Sequence, residues 1–209
     1  SQRDIIVNPL GEGIDMVLEP ERRDTFPAIA LAASYLSLSK GCKDDEVVII
    51  MPCDPYTEAG YFETIRKMAQ CVETNVADLV LMGIKPTYPS EKYGYIIPDG
   101  KEKVSMVKTF KEKPTVDVAK DYISQGALWN GGVFAYKRGY VLNRAHELID
   151  FDDYQDLFSK YETLKKISFD YAVVEHEDSI AVMRFAGEWK VLGTWNTLTE
   201  AMTEPTMGK

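Results

Sequence analysis

The chain has 209 residues, 45% hydrophobic and 27% charged, with 33 acidic against 24 basic side chains and a net charge of −9. That length buries one substantial core, so a single domain over residues 1–209 is expected. The acidic balance argues against a general nucleic-acid partner, which calls for a basic surface to displace counterions. It leaves room for an anionic ligand where a few lysines and a divalent cation make a locally positive pocket.

No apolar run approaches the ~20 residues of a membrane span, so no membrane partner is expected. Cys42, Cys53 and Cys71 form no CxxC pair, and with only His146 and His176 beside them they suggest neither a disulfide framework nor a zinc site. A reducing compartment such as the cytoplasm fits that usage. The oligomeric state is open, and a homo-oligomer is compatible with the sequence. The first residue is Ser1 rather than methionine, which allows processing or a fragment of something longer.

Along the chain, "DTFPAIALAASYLSLSK" reads as a helix start, with Asp24 or Thr25 as cap and Pro27 in the first turn. "EVVIIMP" (46–52) is a short, β-branched apolar run of the kind buried on both faces of a parallel sheet. In "AGYFETIRKMAQCVET", Phe62, Ile65, Ala69 and Val72 fall near helical spacing and mark the face that packs on the sheet. "ADLVLMGI" (77–84) is a second buried strand, so strand, helix and strand here form a βαβ unit with parallel strands. Further on, "YGYIIP" and "VSMVKTFKEKP" flank Asp99-Gly100, a hairpin signal. A helix over 115–125 precedes the strand "NGGVFAYK", and helices follow in "GYVLNRAHELI", "YQDLFSKYETL" and "FDYAVVEH". "SIAVMRF" is a strand and "TWNTLTEAM" a last helix, which makes a mixed-sheet α/β domain.

Asp54 follows the first of these strands directly, at the carboxyl end where open α/β sheets bind ligands. It suits a magnesium ion on phosphates; alone it reads equally well as a turn aspartate. Arg22, Arg23, Asp24 and Thr25 stand before a helix whose N–H groups can receive polar ligand atoms, or are simply a capped start with solvated arginines. Glu112-Lys113-Pro114 ends a strand: Lys113 can meet a phosphate and Glu112 can accept from sugar hydroxyls. Asn130-Gly131-Gly132 offers an amide with close backbone approach, although glycine pairs are mostly turns. Trp189 and Trp195 around Gly193 read first as core anchors, and Asp170 as a cap or a ligand-facing group. Ser-His-Asp, Cys-His, GxGxxG and Walker patterns have no local support.

The order of these motifs is more specific than any one of them. "EPERRDTFPAIALAA", "MPCDPYTE", "MGIKPTYPSEKYGYI", "VKTFKEKP", "LWNGGVFAY", "SFDYAVVE" and "WKVLGTW" recur in that order in mannose-1-phosphate guanylyltransferases. From about residue 5 to 202 the chain resembles that family of sugar nucleotidyltransferases. The resemblance implies a Rossmann-like nucleotide-diphospho-sugar transferase fold with a mixed, mostly parallel central sheet flanked by helices. It also implies a reaction of GTP with mannose 1-phosphate that gives GDP-mannose and pyrophosphate, with Mg2+.

By the same resemblance, Glu19, Arg23, Asp24, Thr25 and Pro27 line the guanine end. Tyr93 and Gly94 approach the sugar, Glu112 binds its hydroxyls, Lys113 its phosphate, and Asn130 the sugar. Asp170 lies near that pocket, and Asp54 is the first magnesium ligand and, with Lys113, a catalytic group. Three features depart from the family. Its glycine-rich phosphate loop belongs upstream of Ser1, so the fold is expected to be incomplete at that end, the chain to be truncated, and the fragment alone to be inactive. Val191 occupies the position of the family's second metal-binding aspartate. "RDTFP" also replaces the commoner "RNTAP". A non-catalytic sugar-nucleotide-binding or regulatory relative, or an enzyme for another hexose 1-phosphate, are the alternatives.

Overall fold

The computed structural model describes residues 13–191. Helix α1 (Thr25–Lys40) begins where Asp24 accepts from the Thr25 N–H at 2.8 Å. It ends where Gly41 turns left-handed at φ 62°, and the Cys42 N–H returns to the Leu36 carbonyl at 3.3 Å. A glycine suits that stop because it carries no Cβ penalty there. Phe26, Ile29, Ala30, Leu31 and Ala33 are buried.

The strands are β1 (Val47–Ile50), β2 (Pro55–Thr57), β3 (Leu79–Ile84), β4 (Tyr95–Pro98), β5 (Val104–Lys111), β6 (Leu128–Lys137), β7 (Ile180–Phe185) and β8 (Trp189–Val191). Six of them make one sheet in the order β1-β6-β3-β7-β5-β4, with β4 also bonded to the start of β6. The sheet is mixed: β3 and β7 are parallel neighbours, and the other pairs are antiparallel. β2 and β8 form a separate two-stranded ribbon.

Helices flank the sheet on both faces. The alternation of β3 divides its side chains: Leu79 and Leu81 join Phe26, Leu31, Val141 and Phe169 in one core. Val80, Met82 and Ile84 join Tyr61, Met68, Val133 and Met183 in the other. Helices α2 (Ala59–Glu73) and α3 (Val116–Ser124) contribute to the second core. The first is covered by α1, α4 (Arg138–Leu148), α5 (Tyr154–Lys160) and the single turn α6 (Phe169–Ala172).

Several expectations need correcting. β1 is half-buried, because among the described residues it is bonded on one side only, to β6. β1 and β3 run in the same direction without being neighbours; the 10-residue β6 lies antiparallel between them, so the expected βαβ unit is interrupted. The buried face of α2 is Tyr61, Thr64, Ile65, Met68 and Val72, with Phe62 52% exposed. Spacing alone admits Phe62 in place of Tyr61 one position away. "FDYAVVEH" also splits into α6 and a 3-10 turn, Val174–His176, with Val173 between them out of helical geometry. The hairpin at Asp99-Gly100 and helix α3 agree with expectation; "TWNTLTEAM", Gly193 and Trp195 lie outside the described residues.

The rotated face of α2 is measurable. Met68→Ala should cost about 2–5 kcal/mol in denaturant unfolding, because it opens a cavity in the second core. Phe62→Ala should cost less than about 1 kcal/mol; similar losses for the two would contradict the assigned face.

Candidate sugar-phosphate site

The site begins with a turn. β5 ends at Lys111, and the next residue, Glu112, is buried with 6% of its surface exposed. Lys113 then adopts φ 45°, a left-handed conformation shared among described non-glycine residues only with Asp24 and Asn75. Such a conformation costs on the order of 1–3 kcal/mol for a residue with a Cβ and persists when its surroundings impose it. Here the Glu112 N–H donates to Glu175 Oε1 at 3.0 Å, and Lys111 Nζ reaches the same oxygen at 3.2 Å. Pro114 then fixes the exit. The Lys113 ammonium folds back to Glu112 Oε1 at 3.1 Å.

β4 and β6 bring a second set of groups to this turn. The Asn130 N–H donates to the Gly94 carbonyl at 2.8 Å. Gly94 leaves room for the neighbouring side chains: a Cβ there would lie 2.5 Å from Glu112 Oε2 and 2.8 Å from the Phe110 ring. Asn130-Gly131-Gly132 is not a chain-reversing turn but an irregularity inside β6. The register against β3 shifts between Leu81 and Gly83, and Gly132 takes φ 70°. Asn130 closes it by accepting from the Gly132 N–H at 3.1 Å. Its other end, Nδ2, donates to Asp170 Oδ1 at 2.6 Å. Asp170 is presented by α6, which is capped by the Ser168 hydroxyl accepting from the Tyr171 N–H.

Glu112, Lys113, Asn130, Asp170 and Gly94 therefore converge. Burial, followed by repulsion from Glu112, pushes the Asp170 carboxyl up to about 7, against the pull of Lys113 and Asn130. Burial also raises Glu112, opposed by Lys113, and Glu175 and Asp24 push it further up. Burial works against the Lys113 charge, but Glu112 outweighs it and holds the ammonium above its usual range. The cluster thus offers carboxylate acceptors beside one fixed cation, a set suited to hydroxyls plus one anionic group.

Next to Gly94 in the chain, the Tyr93 ring packs against Trp129 at 4.7 Å and Trp189 at 5.7 Å. These rings line a cavity of about 210 Å³ with Tyr88, Lys190 and Val191. The indole N–H groups of Trp129 and Trp189 are buried without a hydrogen-bond partner among the described residues. Sequence reasoning misses Trp129 and Tyr88 as site neighbours and leaves Glu175 ambiguous; adjacency to Asn130 and to "YGYI" is the available signal for the first two. A larger cavity of about 590 Å³ lies beside Phe26, Leu164, Ile167 and Tyr171, and none of Glu112, Lys113, Asn130 and Asp170 lines it.

The start of α1 is knitted to α6 and the turn before it. Thr25 Oγ1 accepts from the Phe169 N–H at 2.8 Å, and the Phe26 N–H donates to the Ile167 carbonyl at 3.2 Å. Arg23 bonds Glu21 and the Glu162 carbonyl, while Glu19 accepts from the Tyr161 hydroxyl at 2.7 Å. Pro27 is buried. Asp24 stays exposed at φ 68°, near enough for its charge to act on Glu112.

Asp54 is exposed after β1, and the ribbon pairs its neighbour Pro55 with Val191. The expected first metal ligand and the position of the second are thereby brought together, but the valine brings no donor. Among the described residues no group of three or more His, Cys, Asp or Glu can hold a metal. The single Asp54 carboxylate fits Mg2+ only in company with substrate phosphates and water.

Comparison with known proteins shows the family and the fold. The chain is 28% identical to mannose-1-phosphate guanylyltransferase RfbM of Salmonella typhimurium, over 88% of this chain and 42% of that protein. It is 29% identical to alginate biosynthesis protein AlgA of Pseudomonas aeruginosa, over 92% of this chain and 44% of that one. It thus spans less than half the length of these curated relatives. The crystal structure of mannose-1-phosphate geranyltransferase from Thermus thermophilus matches with a TM-score of 0.80 at 29% identity, covering 97% of this chain and 62% of that one. The fold is the nucleotide-diphospho-sugar transferase fold. With the nucleotidyl transferase family model matching residues 8–207, the chain belongs to that family.

Proposed function

We propose that the protein makes GDP-mannose and pyrophosphate from GTP and mannose 1-phosphate, and that this chain supplies the sugar-phosphate side of the site. The observation that carries the reading is the convergence of Glu112, Lys113, Asn130 and Asp170 around Gly94. In the reaction, a phosphate oxygen of mannose 1-phosphate forms a bond to the α-phosphorus of GTP. The bond from that phosphorus to its bridging oxygen breaks, and pyrophosphate leaves. Positioning and charge neutralisation supply most of the rate in such transfers.

Glu112 and ionised Asp170 accept from mannose hydroxyls, Asn130 orients the ring, and Tyr93 and Gly94 give it room. Lys113 meets the sugar phosphate. Glu19, Arg23, Asp24, Thr25 and Pro27 form the guanine end, which fits the placement of Asp24 beside Glu112. Asp54 is the protein's carboxylate toward Mg2+, which when bound neutralises phosphate charge.

A second reading, a sugar-nucleotide-binding relative without turnover, is favoured by one observation, Val191 opposite Pro55. Pyrophosphate release from GTP and mannose 1-phosphate, measured with the expected upstream phosphate loop restored and Val191 changed to Asp, separates the two. Turnover supports the first reading; tight binding of GDP-mannose without turnover supports the second.

Calorimetry with mannose 1-phosphate tests the site itself. Lys113→Ala should weaken binding about 10–100-fold, the equivalent of a charge-assisted contact of roughly 1.5–3 kcal/mol. Unchanged affinity would remove Lys113 from the site.

Asp170 also predicts a pH dependence. Its ordinary value is 3.8, so between about pH 4 and 7 the folded state holds more protons than the unfolded one. Stability from this group is therefore lost as pH rises through that window. Asp170→Asn removes the loss and keeps an acceptor for Asn130. Its melting temperature should gain on the parent's from pH 5 to 8, by about 4–8 °C for roughly 2 kcal/mol. A difference independent of pH would contradict the buried, charge-repelled carboxyl.

A further inference from the structure

We propose that Glu175 is a positioning residue that sets Lys113 for the sugar phosphate; this rests on the function proposed above. One carboxylate oxygen of Glu175 accepts from the backbone N–H of Glu112 at 3.0 Å and from Lys111 Nζ at 3.2 Å. These are the two residues immediately before Lys113, whose φ of 45° is disfavoured for any side chain with a Cβ. The Glu112 side chain engages Lys113 through Oε1, a contact within the turn itself. The anchor outside the turn is Glu175, whose side chain is 17% exposed. Its charge repels Glu112 and is balanced by Lys111. The carboxylate thus stands close to the site without reaching the ligand-facing groups.

Glu175 belongs to the short 3-10 turn Val174–His176, which follows α6 after one intervening residue. The same eight-residue stretch, 169–176, carries Asp170 to Asn130 and Glu175 to Glu112. It therefore grips both β6 and the end of β5. A shift of this stretch moves the acceptor Asp170 and the cation Lys113 together, which keeps the spacing between hydroxyl-binding and phosphate-binding groups constant. The helical break at Val173 serves this purpose, because a continuous helix would turn positions 170 and 175 about 140° apart.

Two substitutions separate reach from charge. Glu175→Gln keeps an oxygen at the right distance and loses the charge; Glu175→Asp keeps the charge and withdraws the oxygen by one methylene. In the 209-residue chain, mannose 1-phosphate affinity by calorimetry should fall less than about 3-fold for Gln and about 10-fold or more for Asp. GTP affinity should be unchanged in both. The Glu112 amide should exchange slowly with deuterium in the parent and Gln forms and faster in the Asp form.

The reverse order, with Gln weak and Asp normal, would show that Glu175 acts through its charge and overturn the proposal. Equal affinities in all three forms, with the amide equally protected, would do the same. If the parent chain binds no hexose 1-phosphate, the proposed function fails, while amide exchange still decides whether Glu175 holds the turn.

Discussion

The hydrogen bond from Asn130 Nδ2 to Asp170 Oδ1, at 2.6 Å, is the link on which the site depends. Its direction is set locally: the Asn130 amide oxygen is taken by the Gly132 N–H, so the nitrogen end must point toward α6. The glycines of β6 make that local ring feasible, since Gly132 sits at φ 70°. From this link the arrangement extends in two directions. Along β6, the Asn130 N–H draws in Gly94 and with it the space above Glu112. Along α6 and the following turn, the chain reaches Glu175 and the end of β5.

The electrostatic consequence is a site that is costly to keep in the absence of ligand. Asp170 is pushed up by burial and by Glu112, Glu112 by burial and by Glu175 and Asp24, and Lys113 is the nearby counter-charge of both. A core chosen for stability alone would not place two carboxylates and a left-handed lysine at one point. Groups perturbed in this way cluster at functional sites. The aromatic wall of Tyr93, Trp129 and Trp189 adds a face with two buried N–H donors that have no partner among the described residues.

Much of the architecture is legible in the sequence where a local rule suffices. The Asp24 cap, the Asp99-Gly100 hairpin and the fully buried β3 follow from caps, turn chemistry and an apolar run. What stays hidden is non-local. Nothing near residues 47–50 announces that β6, some eighty positions later, will pair with them and separate them from β3. Helical spacing places α2 against the sheet but cannot choose between Tyr61 and Phe62, one position and about 100° apart. At the site, the ordered motifs mark Glu112, Lys113, Asn130 and Asp170, which the fold brings together. Glu175 is ambiguous in the sequence because its role lies in accepting from a backbone N–H, and a backbone group has no signature there.

The central claim is that these residues form one ligand-binding cluster for a hexose 1-phosphate. It is tested most directly by amide chemical-shift mapping of the chain during titration with mannose 1-phosphate. The account predicts saturable shifts concentrated at Gly94, Glu112, Lys113, Asn130 and Asp170, with little change around Leu164 and Ile167 in the larger cavity. Shifts centred on that cavity, or none at the five cluster residues, would contradict it.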